Sequence, residues 1–180
     1  MPEIEIRPVI ESDISHLTGI DHSYTSEYVW QMTPQFESGQ MGAVFHEVRL
    51  PRKVRVDYPR PPQALAENWK RRAGNLVAVL QGEPVGYASL LRDGVPFTAW
   101  MTDLVVAPRV RGQGIGTALM LAALDWAAAH PGNHRLVLEM QPKNHPAICL
   151  AQKLGFDFCG YIDHFYPNRD IAILFTKWII

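Results

Sequence analysis

The residues from Thr102 to Ala129 constrain the fold more than any other part of the chain. They begin with an apolar run, Leu104 to Val106, which predicts a buried strand that ends before Pro108, because proline lacks the donor that a sheet ladder needs. The segment RGQGIG follows at residues 111–116 and leads into strong helix formers. Glycines between a strand and a helix leave backbone N–H groups free at the helix N-terminus, where phosphate binds well. The sequence therefore predicts a pyrophosphate-bearing ligand that is held by the backbone.

The spacing of these glycines distinguishes between phosphate-binding motifs. The dinucleotide fingerprint G-x-G-x-x-G fails in both registers, from Gly112 and from Gly114, and no lysine follows as the nucleotide P-loop requires. The pattern R-x-x-G-x-G does fit, with Arg111, Gly114 and Gly116 at its fixed positions. After a strand that ends in V-x-P, this pattern closely resembles the acetyl-CoA site of the GCN5-related N-acetyltransferase (GNAT) family. The alternative is a glycine-rich helix start that serves close packing only.

The resemblance continues downstream of the glycines. Residues 136–156, LVLEMQPKNHPAICLAQKLGF, are similar to the strand, asparagine, helix and LGF ending of GNAT proteins. The similarity covers roughly residues 76–180 and is weak before that. Within the superfamily, the GQGIG turn, the LEMQ strand and the aromatic C-terminal strands resemble the streptothricin acetyltransferases. The resemblance implies an enzyme that transfers an acetyl group directly from acetyl-CoA to a primary amine, with no metal.

The same resemblance implies which residues contact the coenzyme. The backbone of Leu104, Val105 and Val106 would bind the pantetheine amides, as an added strand would, and an N–H near Val106 would stabilise the oxyanion. Asn144 would bond the pantetheine arm or the acetyl end, or else it caps the following helix. The residues expected to hold the pyrophosphate through their N–H groups are Arg111, Gly112, Gln113, Gly114, Ile115 and Gly116.

Glu139 is the candidate general base, because it occupies the strand position where related enzymes often place a catalytic glutamate. An acceptor ammonium must lose a proton before it can attack a thioester, and a partly buried carboxylate with a raised pKa can accept that proton directly or through water. Apolar neighbours on the same strand predict that Glu139 is buried. The alternative is a surface carboxylate that pairs with Arg135 or Lys143.

The chain departs from the family at Ala151, where many members have a tyrosine that protonates the departing thiolate. A thiol pKa near ~8.5 makes a thiolate a fair leaving group at neutral pH, yet a positioned acid is typically worth ~10²–10⁴-fold. A substitute acid would therefore still help, although packing is the alternative role for each candidate. The candidates, in order, are Tyr166 and Tyr161, then His145 and Cys149.

The remaining pattern predicts one α+β domain over residues 1–180, with a mixed, mainly antiparallel sheet and helices on both faces. The N-terminal elements expected are a strand at 4–8, a short helix capped by Ser12 or Asp13, helical pieces between Asp21 and Gln40 with breaks at Pro34 and Gly39, strands at 43–49 and 53–58 separated by residues 50–52, and a helix at 63–72. The elements expected after them are strands at 76–80, 84–91, 98–106, 135–140, 158–166 and 171–178, with helices at 115–130 and 144–154. By resemblance, residues 21–40 would form a wall of the acceptor pocket; the alternative is that their aromatic residues simply pack on the core.

Three basic residues precede this core, and two interpretations of them are open. Lys53, Arg55 and Arg60 lie close together in the sequence and invite a phosphate-binding role. A charged, solvated edge strand accounts for them as well, because such strands commonly carry lysine and arginine. We therefore expect these three side chains to be solvated.

The composition excludes several classes of function. Hydrophobic residues make up 47% of the chain and charged residues 19%, which is typical of a globular protein. The net charge of −1 offers no global field for nucleic acid or an anionic membrane. The start MPEIEIRP does not resemble a signal peptide, and two cysteines without a CxxC motif predict neither a disulfide framework nor a zinc cluster. The histidines at 130 and 134 are separated by Pro131-Gly132, which argues against a zinc site on a shared helix face. We expect a cytoplasmic protein without a metal, nucleic-acid or membrane partner.

The acceptor is less constrained than the donor. A small primary amine, such as an aminoglycoside-like or streptothricin-like antibiotic, is the leading hypothesis, and a protein N-terminus or lysine is the alternative. The alanine at 151 also motivates a catalytically silent acyl-CoA-binding sensor. A nucleotide-binding oxidoreductase is a third class, which the glycine spacing opposes. The apolar C-terminus, Phe175 to Ile180, is a candidate homodimer surface.

Overall fold

The computed structural model describes residues 2–179, and these residues form nine strands and four α-helices. The strands are β1 (Ile4–Pro8), β2 (Tyr24–Glu37), β3 (Gln40–Val56), β4 (Gly74–Leu80), β5 (Glu83–Leu91), β6 (Thr98–Val106), β7 (Arg135–Met140), β8 (Asp157–Ile162) and β9 (Ala172–Trp178). The helices are α1 (Glu11–Thr18), α2 (Gln63–Asn68), α3 (Ile115–Ala129) and α4 (His145–Lys153). Short 3₁₀ turns extend α2 at Trp69–Arg71 and follow β6 at Pro108–Val110.

Seven strands form one sheet in the order β1-β4-β5-β6-β7-β9-β8, and β2 and β3 form a separate hairpin. All neighbours in the sheet are antiparallel except β6 and β7. A parallel pair needs a crossover connection, and α3 supplies it here. The predicted mixed, mainly antiparallel sheet is therefore confirmed, and its one parallel pair brings the start of α3 to the carboxyl end of β6.

Side chains on the two faces of this sheet belong to different cores. Along β4, Leu76 and Ala78 belong to the larger core, which contains α3 and α4 residues. Val77 and Val79 belong to the smaller core, where Leu17 of α1 and Leu65 of α2 are buried. This alternation is what the two-residue period of a strand dictates. Helices on both faces were predicted, and the structure confirms them.

The prediction of helical pieces between Asp21 and Gln40 is wrong. This segment is strand β2, which pairs with β3 and turns through Gly39 at φ +76°. Its aromatic and β-branched residues favour an extended chain, and Pro34 is tolerated because each strand of a two-stranded hairpin is an edge. The prediction that residues 50–52 separate two strands is wrong for the backbone, which stays extended throughout β3. The pairing with β2 is nevertheless interrupted there, because its register shifts between Ser26 and Tyr28.

Three smaller predictions also need correction. Helix α1 starts at Glu11, so Asp13 is not its N-cap; the Asp13 carboxylate instead accepts from the Ile10 N–H at 2.9 Å and from the Arg7 guanidinium at 2.7 and 2.9 Å. The strand expected at 158–166 ends at Ile162, so Tyr166 lies in the following loop. Helix α2 is shorter than predicted, because its last turn is 3₁₀.

The candidate dimer surface is only partly exposed. Phe175 is 5% exposed and Trp178 is 60% exposed, while Ile180 lies outside the described residues. The homodimer stays a prediction. Within residues 2–179 no helix has the length and apolar character that crossing a membrane requires.

Candidate active site

The candidate site lies where β6 and β7 separate. Their pairing covers Thr98–Met101 of β6 against Arg135–Leu138 of β7. On its other edge, β6 stays paired with β5 as far as Val106, which lies opposite Gly86. Beyond the short parallel pairing, the edge of β6 that faces β7 has no strand partner in the described residues. Its backbone groups are therefore available to side chains or to a ligand.

The glycine turn depends on backbone conformation. Gly112 and Gly114 have φ values of +76° and +87°, in the left-handed region that L side chains rarely adopt. A Cβ at either position would meet no heavy atom within 4 Å, so conformation and not space requires glycine there. Gly116 differs, because a Cβ at this residue would lie 3.3 Å from Cδ2 of Leu150 on α4. The third glycine thus allows α3 to approach α4 closely.

The start of α3 presents free backbone donors. Gly114 is the N-cap residue, without a side-chain cap in the structure as described, and the first intrahelical bond runs from the Ala118 N–H to its carbonyl at 2.9 Å. The N–H groups of residues 115–117 precede that bond and point out of the helix end. They combine with the positive end of the helix dipole to favour an anion at this position.

Arg111 stabilises this turn through its side chain. Its Nε donates to the carbonyl of Val106 at 2.8 Å, and its Nη2 donates to the carbonyl of Asp21 at 3.2 Å. These bonds fasten the loop that follows β6 to the segment that precedes β2. Two of the guanidinium nitrogens are thus bonded to protein carbonyls.

A groove of about 440 Å³ runs from the glycine turn to α4. Nine of the ten residues predicted to bind the coenzyme line it. They are Leu104, Val105, Val106, Arg111, Gly112, Gly114, Ile115, Gly116 and Asn144. The tenth, Gln113, is exposed and does not line the groove. Asn144 also caps α4, because its Oδ1 accepts from the Ala147 N–H at 3.3 Å.

A second, smaller cavity continues inward from this groove. Tyr58, Leu104, Asn144 and Ala147 line both spaces, which places the two cavities side by side. The inner cavity also contains the two predicted catalytic residues, Glu139 and Tyr166. The structure thus brings most of the predicted coenzyme and catalytic residues to two adjoining cavities.

Glu139 is buried, as predicted, and its side chain is 1% exposed. Its partner is neither Arg135 nor Lys143. Oε1 accepts from Nη2 of Arg60, and Oε2 accepts from the indole N–H of Trp100 at 2.6 Å. Each carboxylate oxygen keeps further acceptor capacity, because an ionised carboxylate has about four acceptor sites.

Arg60 joins Glu139 to a second buried carboxylate. Its Nη1 donates to the Thr102 carbonyl at 2.8 Å and lies 3.3 Å from Oδ1 of Asp103. Oδ1 of Asp103 also accepts from the Tyr58 hydroxyl at 2.9 Å. Burial opposes the charge of Arg60, but Asp103 and then Glu139 raise its pKa. The cluster therefore contains two carboxylates and one guanidinium.

The pKa of Glu139 is raised, because burial disfavours its charged form more than its partners favour it. Arg60 and Trp100 lower the pKa of this carboxyl, and the charge of Asp103 raises it. A carboxyl with a raised pKa is a stronger base than an exposed glutamate.

Tyr166 lies against the same cluster. The guanidinium carbon of Arg60 is 5.5 Å from the centre of its ring. Burial, and then the charge of Glu139, raise the pKa of Tyr166, so its hydroxyl keeps its proton at neutral pH. Nearby, the Tyr24 hydroxyl donates to Oε1 of Gln141 at 2.8 Å, and Nε2 of Gln141 donates to Asp170 at 3.0 Å.

The other candidates for a general acid lie elsewhere. Tyr161 packs against Phe45 of the hairpin. His145 contacts Glu47 at 3.0 Å, and Cys149 lies 3.5 Å from the same histidine. None of the three candidates lines either cavity. Ala151 is fully buried in the larger core.

The interpretation of Arg60 as a solvated edge residue is wrong, whereas Lys53 and Arg55 are exposed as expected. The difference follows from position, because Arg60 lies after β3 in a loop with prolines at 59, 61 and 62. That proline cluster was the available signal for a fixed loop. Nothing in the sequence indicated that this loop reaches Glu139.

The fold and site geometry can now be compared with known proteins. The sequence profile of the acetyltransferase (GNAT) family matches residues 42–156, which is more than half of the chain. The chain belongs to the GNAT family. It is also 30% identical over 170 residues to the streptothricin acetyltransferase of Streptomyces lavendulae, covering 91% of this chain and 87% of that protein. The protein is therefore an acetyltransferase of the GNAT family.

Solved structures have the same fold over nearly the whole chain. A nourseothricin acetyltransferase superimposes with a TM-score of 0.82 at 24% identity, covering 98% of this chain and 99% of that one. A protein provisionally assigned as a streptothricin acetyltransferase of Bacillus anthracis str. Ames, in complex with acetyl coenzyme A, gives a TM-score of 0.77 at 19% identity, with coverage of 98% and 99%. The predicted GNAT fold is thus confirmed, and the doubly wound dinucleotide fold is excluded.

Proposed function

We propose that this GNAT acetyltransferase uses acetyl-CoA to acetylate a primary amine of a cationic small molecule of the streptothricin class. The observation that supports it best is the pair of adjoining cavities, one beside the backbone donors at the start of α3 and the other lined by the buried carboxylate of Glu139. We further propose that residues 1–180 act as one domain in the cytoplasm, where acetyl-CoA is available, without a metal, nucleic-acid or membrane partner.

In this proposal the outer groove holds the coenzyme. The N–H groups at the start of α3 bind the pyrophosphate. The unpaired edge of β6, from Leu104 to Val106, bonds the pantetheine amides, in the manner of strand addition. Asn144 lies at the junction of the two cavities, where it contacts the pantetheine arm or the acetyl end.

The side chains that line the inner cavity carry out the proton transfers. The acceptor ammonium gives a proton to Glu139, directly or through one water, and the freed amine attacks the acetyl carbon. A backbone N–H near Val106 stabilises the oxyanion of the tetrahedral intermediate. The C–S bond then breaks, the amide forms and the CoA thiolate leaves. Tyr166, whose hydroxyl is protonated, donates a proton to that thiolate and fills the role of the tyrosine that Ala151 replaces.

The charge of the inner cavity supports a cationic acceptor. Asp103 and Glu139 contribute two negative charges when ionised, and Arg60 contributes one positive charge. Asp170, which contacts Gln141 at the cavity wall, adds another negative group. An ammonium group would compensate the excess negative charge. The streptothricin acetyltransferase relative, which aligns over most of the chain, supports a small molecule in particular.

Two alternatives remain as distinct proposals. An N-alpha-acetyltransferase of Sulfurisphaera tokodaii is 29% identical over 118 residues, which favours a protein N-terminus or a lysine as acceptor. Ala151 favours a catalytically silent sensor of acyl-CoA. The two relatives differ in coverage, since the S. tokodaii match spans 57% of this chain and the S. lavendulae match 91%. That difference favours the small-molecule acceptor.

Release of free CoA from acetyl-CoA tests these proposals against one another. The acceptors are streptothricin, nourseothricin, a simple lysine derivative and peptides with free N-termini. We expect acceleration by the antibiotics and little by the peptides. Acceleration by peptides alone would support the protein acetyltransferase. Tight acetyl-CoA binding without acceleration by any amine would support the sensor. Stabilisation by NAD and not by acetyl-CoA in a thermal-shift measurement would refute the donor.

A further inference from the structure

Arg60 occupies the point at which β6 and β7 separate. The last parallel pair is Met101 with Leu138, so Thr102 and Glu139 would come next in register. The guanidinium bridges these two positions. Nη1 donates to the Thr102 carbonyl at 2.8 Å, and Nη2 donates to Oε1 of Glu139. One side chain thus takes the place of the missing strand contact.

The neighbours of Arg60 leave it little freedom. It projects from the loop after β3, and its side chain is 22% exposed. The ring of Tyr166 lies 5.5 Å from its guanidinium carbon, and Asp103 lies 3.3 Å from Nη1. Prolines on both sides restrict the loop backbone. The guanidinium is therefore held by groups from β6, β7 and the loop before β9.

We propose that Arg60 is a positioning residue for acetyl transfer, whose guanidinium bridges β6 and β7, orients the carboxylate of Glu139 and balances its charge. The proposal rests on the role given above to Glu139 as the base. It assigns a function to a segment outside the donor site, since Arg60 belongs to the loop between β3 and α2 and not to the glycine turn.

The planar guanidinium suits this role better than an ammonium group. Its rigid fork directs two N–H groups at two acceptors at once, here a backbone carbonyl and a carboxylate. A lysine would retain the positive charge, but as a single point at the end of a flexible chain. Arg60→Lys therefore separates charge from geometry.

The charges around Glu139 give the proposal a measurable consequence. The groups that face its carboxyl are Arg60 from the loop after β3, Asp103 from β6, Tyr166 from the loop before β9, and the neutral indole of Trp100. Arg60 alone among them is a cation. Burial and Asp103 both raise the pKa of Glu139, and Arg60 opposes them. Without Arg60, Glu139 would be protonated over a wider range of pH.

The first test compares the pH profiles of Arg60→Met, Arg60→Lys and the wild type, with Arg109→Met as a control because Arg109 pairs with exposed Glu83 at the surface. We expect the acidic limb of kcat/KM to move to higher pH in Arg60→Met, with a loss of about 10²-fold at pH 7 that shrinks at high pH. Arg60→Lys should fall between Arg60→Met and the wild type. A loss that is equal at every pH would overturn the proposal.

The second test needs no acceptor. The Trp100 indole N–H donates to Glu139, so its ¹H–¹⁵N NMR signal reports the protonation of that carboxyl, and Trp100→Phe identifies the signal among the five tryptophans. We expect the midpoint of this titration to rise in Arg60→Met and to rise less in Arg60→Lys. Arg60→Lys lacks the planar guanidinium. Equal titration midpoints in this variant and in the wild type would therefore show that the geometry of the guanidinium has no role. Equal midpoints in all three proteins would refute the whole proposal.

These tests separate failure of the inference from failure of the proposed function. If no amine accelerates CoA release by the wild type, the proposed function fails, yet the Trp100 titration still decides whether Arg60 controls Glu139. If the wild type is active and its profile matches that of Arg60→Met, the inference alone fails. Acetyl-CoA binding by calorimetry confirms that each variant is folded, because the donor groove does not include Arg60. If Arg60→Met does not bind acetyl-CoA, the comparison of Arg60→Lys with the wild type decides. A raised midpoint of the Trp100 titration then supports the proposal, and an unchanged midpoint refutes it.

Discussion

The outer groove and the inner cavity are built in opposite ways. The groove takes its backbone hydrogen-bonding groups from one continuous segment, from Leu104 to Gly116, in which two glycines have left-handed φ values. The inner cavity takes its groups from side chains that converge from distant segments, and Arg60 and Glu139 are 79 residues apart. In the proposed function, binding of acetyl-CoA therefore depends mainly on the conformation of one segment, whereas the chemistry depends on contacts between distant segments.

The two regions also differ in their electrostatics. The start of α3 presents uncharged N–H groups and a helix dipole, which favour an anion without a buried charge. The inner cavity buries two carboxylates and one guanidinium, a set that is stable only while its members remain together. Substitutions should therefore affect donor binding in the first region and proton transfer in the second.

The largest expected effect is on the donor side. Gly114→Glu should weaken acetyl-CoA binding by more than about 100-fold, because it adds backbone strain of roughly 1–2 kcal/mol and a carboxylate beside the pyrophosphate. Isothermal calorimetry measures the affinity. Gly39→Glu is the matched control, since Gly39 has a φ of +76° at the tip of the hairpin. Unchanged affinity in Gly114→Glu would remove the glycine turn from the donor site.

Glu139→Gln should produce the next largest effect and leave donor affinity nearly intact. We expect kcat/KM to fall by roughly 10²–10⁴-fold near neutral pH. The raised pKa of Glu139 sets the direction of the pH dependence, because the carboxylate can accept a proton only above that pKa. The activity of the wild type should therefore fall on acidification at a higher pH than it would with an exposed glutamate as the base. The variant should lack this limb. Steady-state kinetics across pH measures this limb, with Glu83→Gln as the control. If the pH profile of Glu139→Gln coincides with that of the wild type, Glu139 is not the base.

Tyr166→Phe should have a moderate effect. The substitution removes the hydroxyl and keeps the ring beside Arg60. We expect kcat to fall by about 10-fold with acetyl-CoA affinity unchanged, because a thiolate is a fair leaving group even without an acid. Tyr161→Phe is the control, since Tyr161 packs against the hairpin instead. Equal kcat in the two variants would leave Tyr166 with a packing role only.

Asn144 lies where the two regions meet, and its substitution should have the smallest effect. Asn144→Ala should cost about 1 kcal/mol of unfolding free energy, because it removes the cap of α4. Asn144→Asp retains the cap but loses the amide donor, so thermal stability should hold while acetyl-CoA affinity falls a few-fold. If Asn144→Asp binds acetyl-CoA as tightly as the wild type, the side chain is a cap and not a ligand contact.

The sequence predicted the strand, the glycine turn and α3 well because their determinants are contiguous. Strand, proline, glycines and helix occur in order, and each has a local physical meaning. Burial of Glu139 was also predictable, from its apolar neighbours on one strand. Its partners were not, since Arg60 comes from a loop whose approach depends on the whole fold, and the exposed Lys53 and Arg55 nearby suggested the wrong environment for it.

The hairpin was the other failure of sequence reasoning. Pro34 and Gly39 are compatible with breaks between helices, but a proline also fits an edge strand, and a glycine with positive φ also fits a tight turn. The segment is extended because it pairs with β3 along its whole length. The backbone N–H of Trp30 also donates to the Pro142 carbonyl at 2.9 Å, which fastens the hairpin to the loop after β7.

The separation of 79 residues between Arg60 and Glu139 has a consequence for the order of folding. Closing a long loop costs entropy before the contact can repay it, so distant pairs form late. The hydrogen bonds of α3 need only neighbours in the chain and can form early, whereas the bond from Arg111 to the Asp21 carbonyl spans 90 residues. We therefore expect the start of α3 to form before Arg60 reaches Glu139. In the order of folding, the anion-binding end of the helix would precede the base.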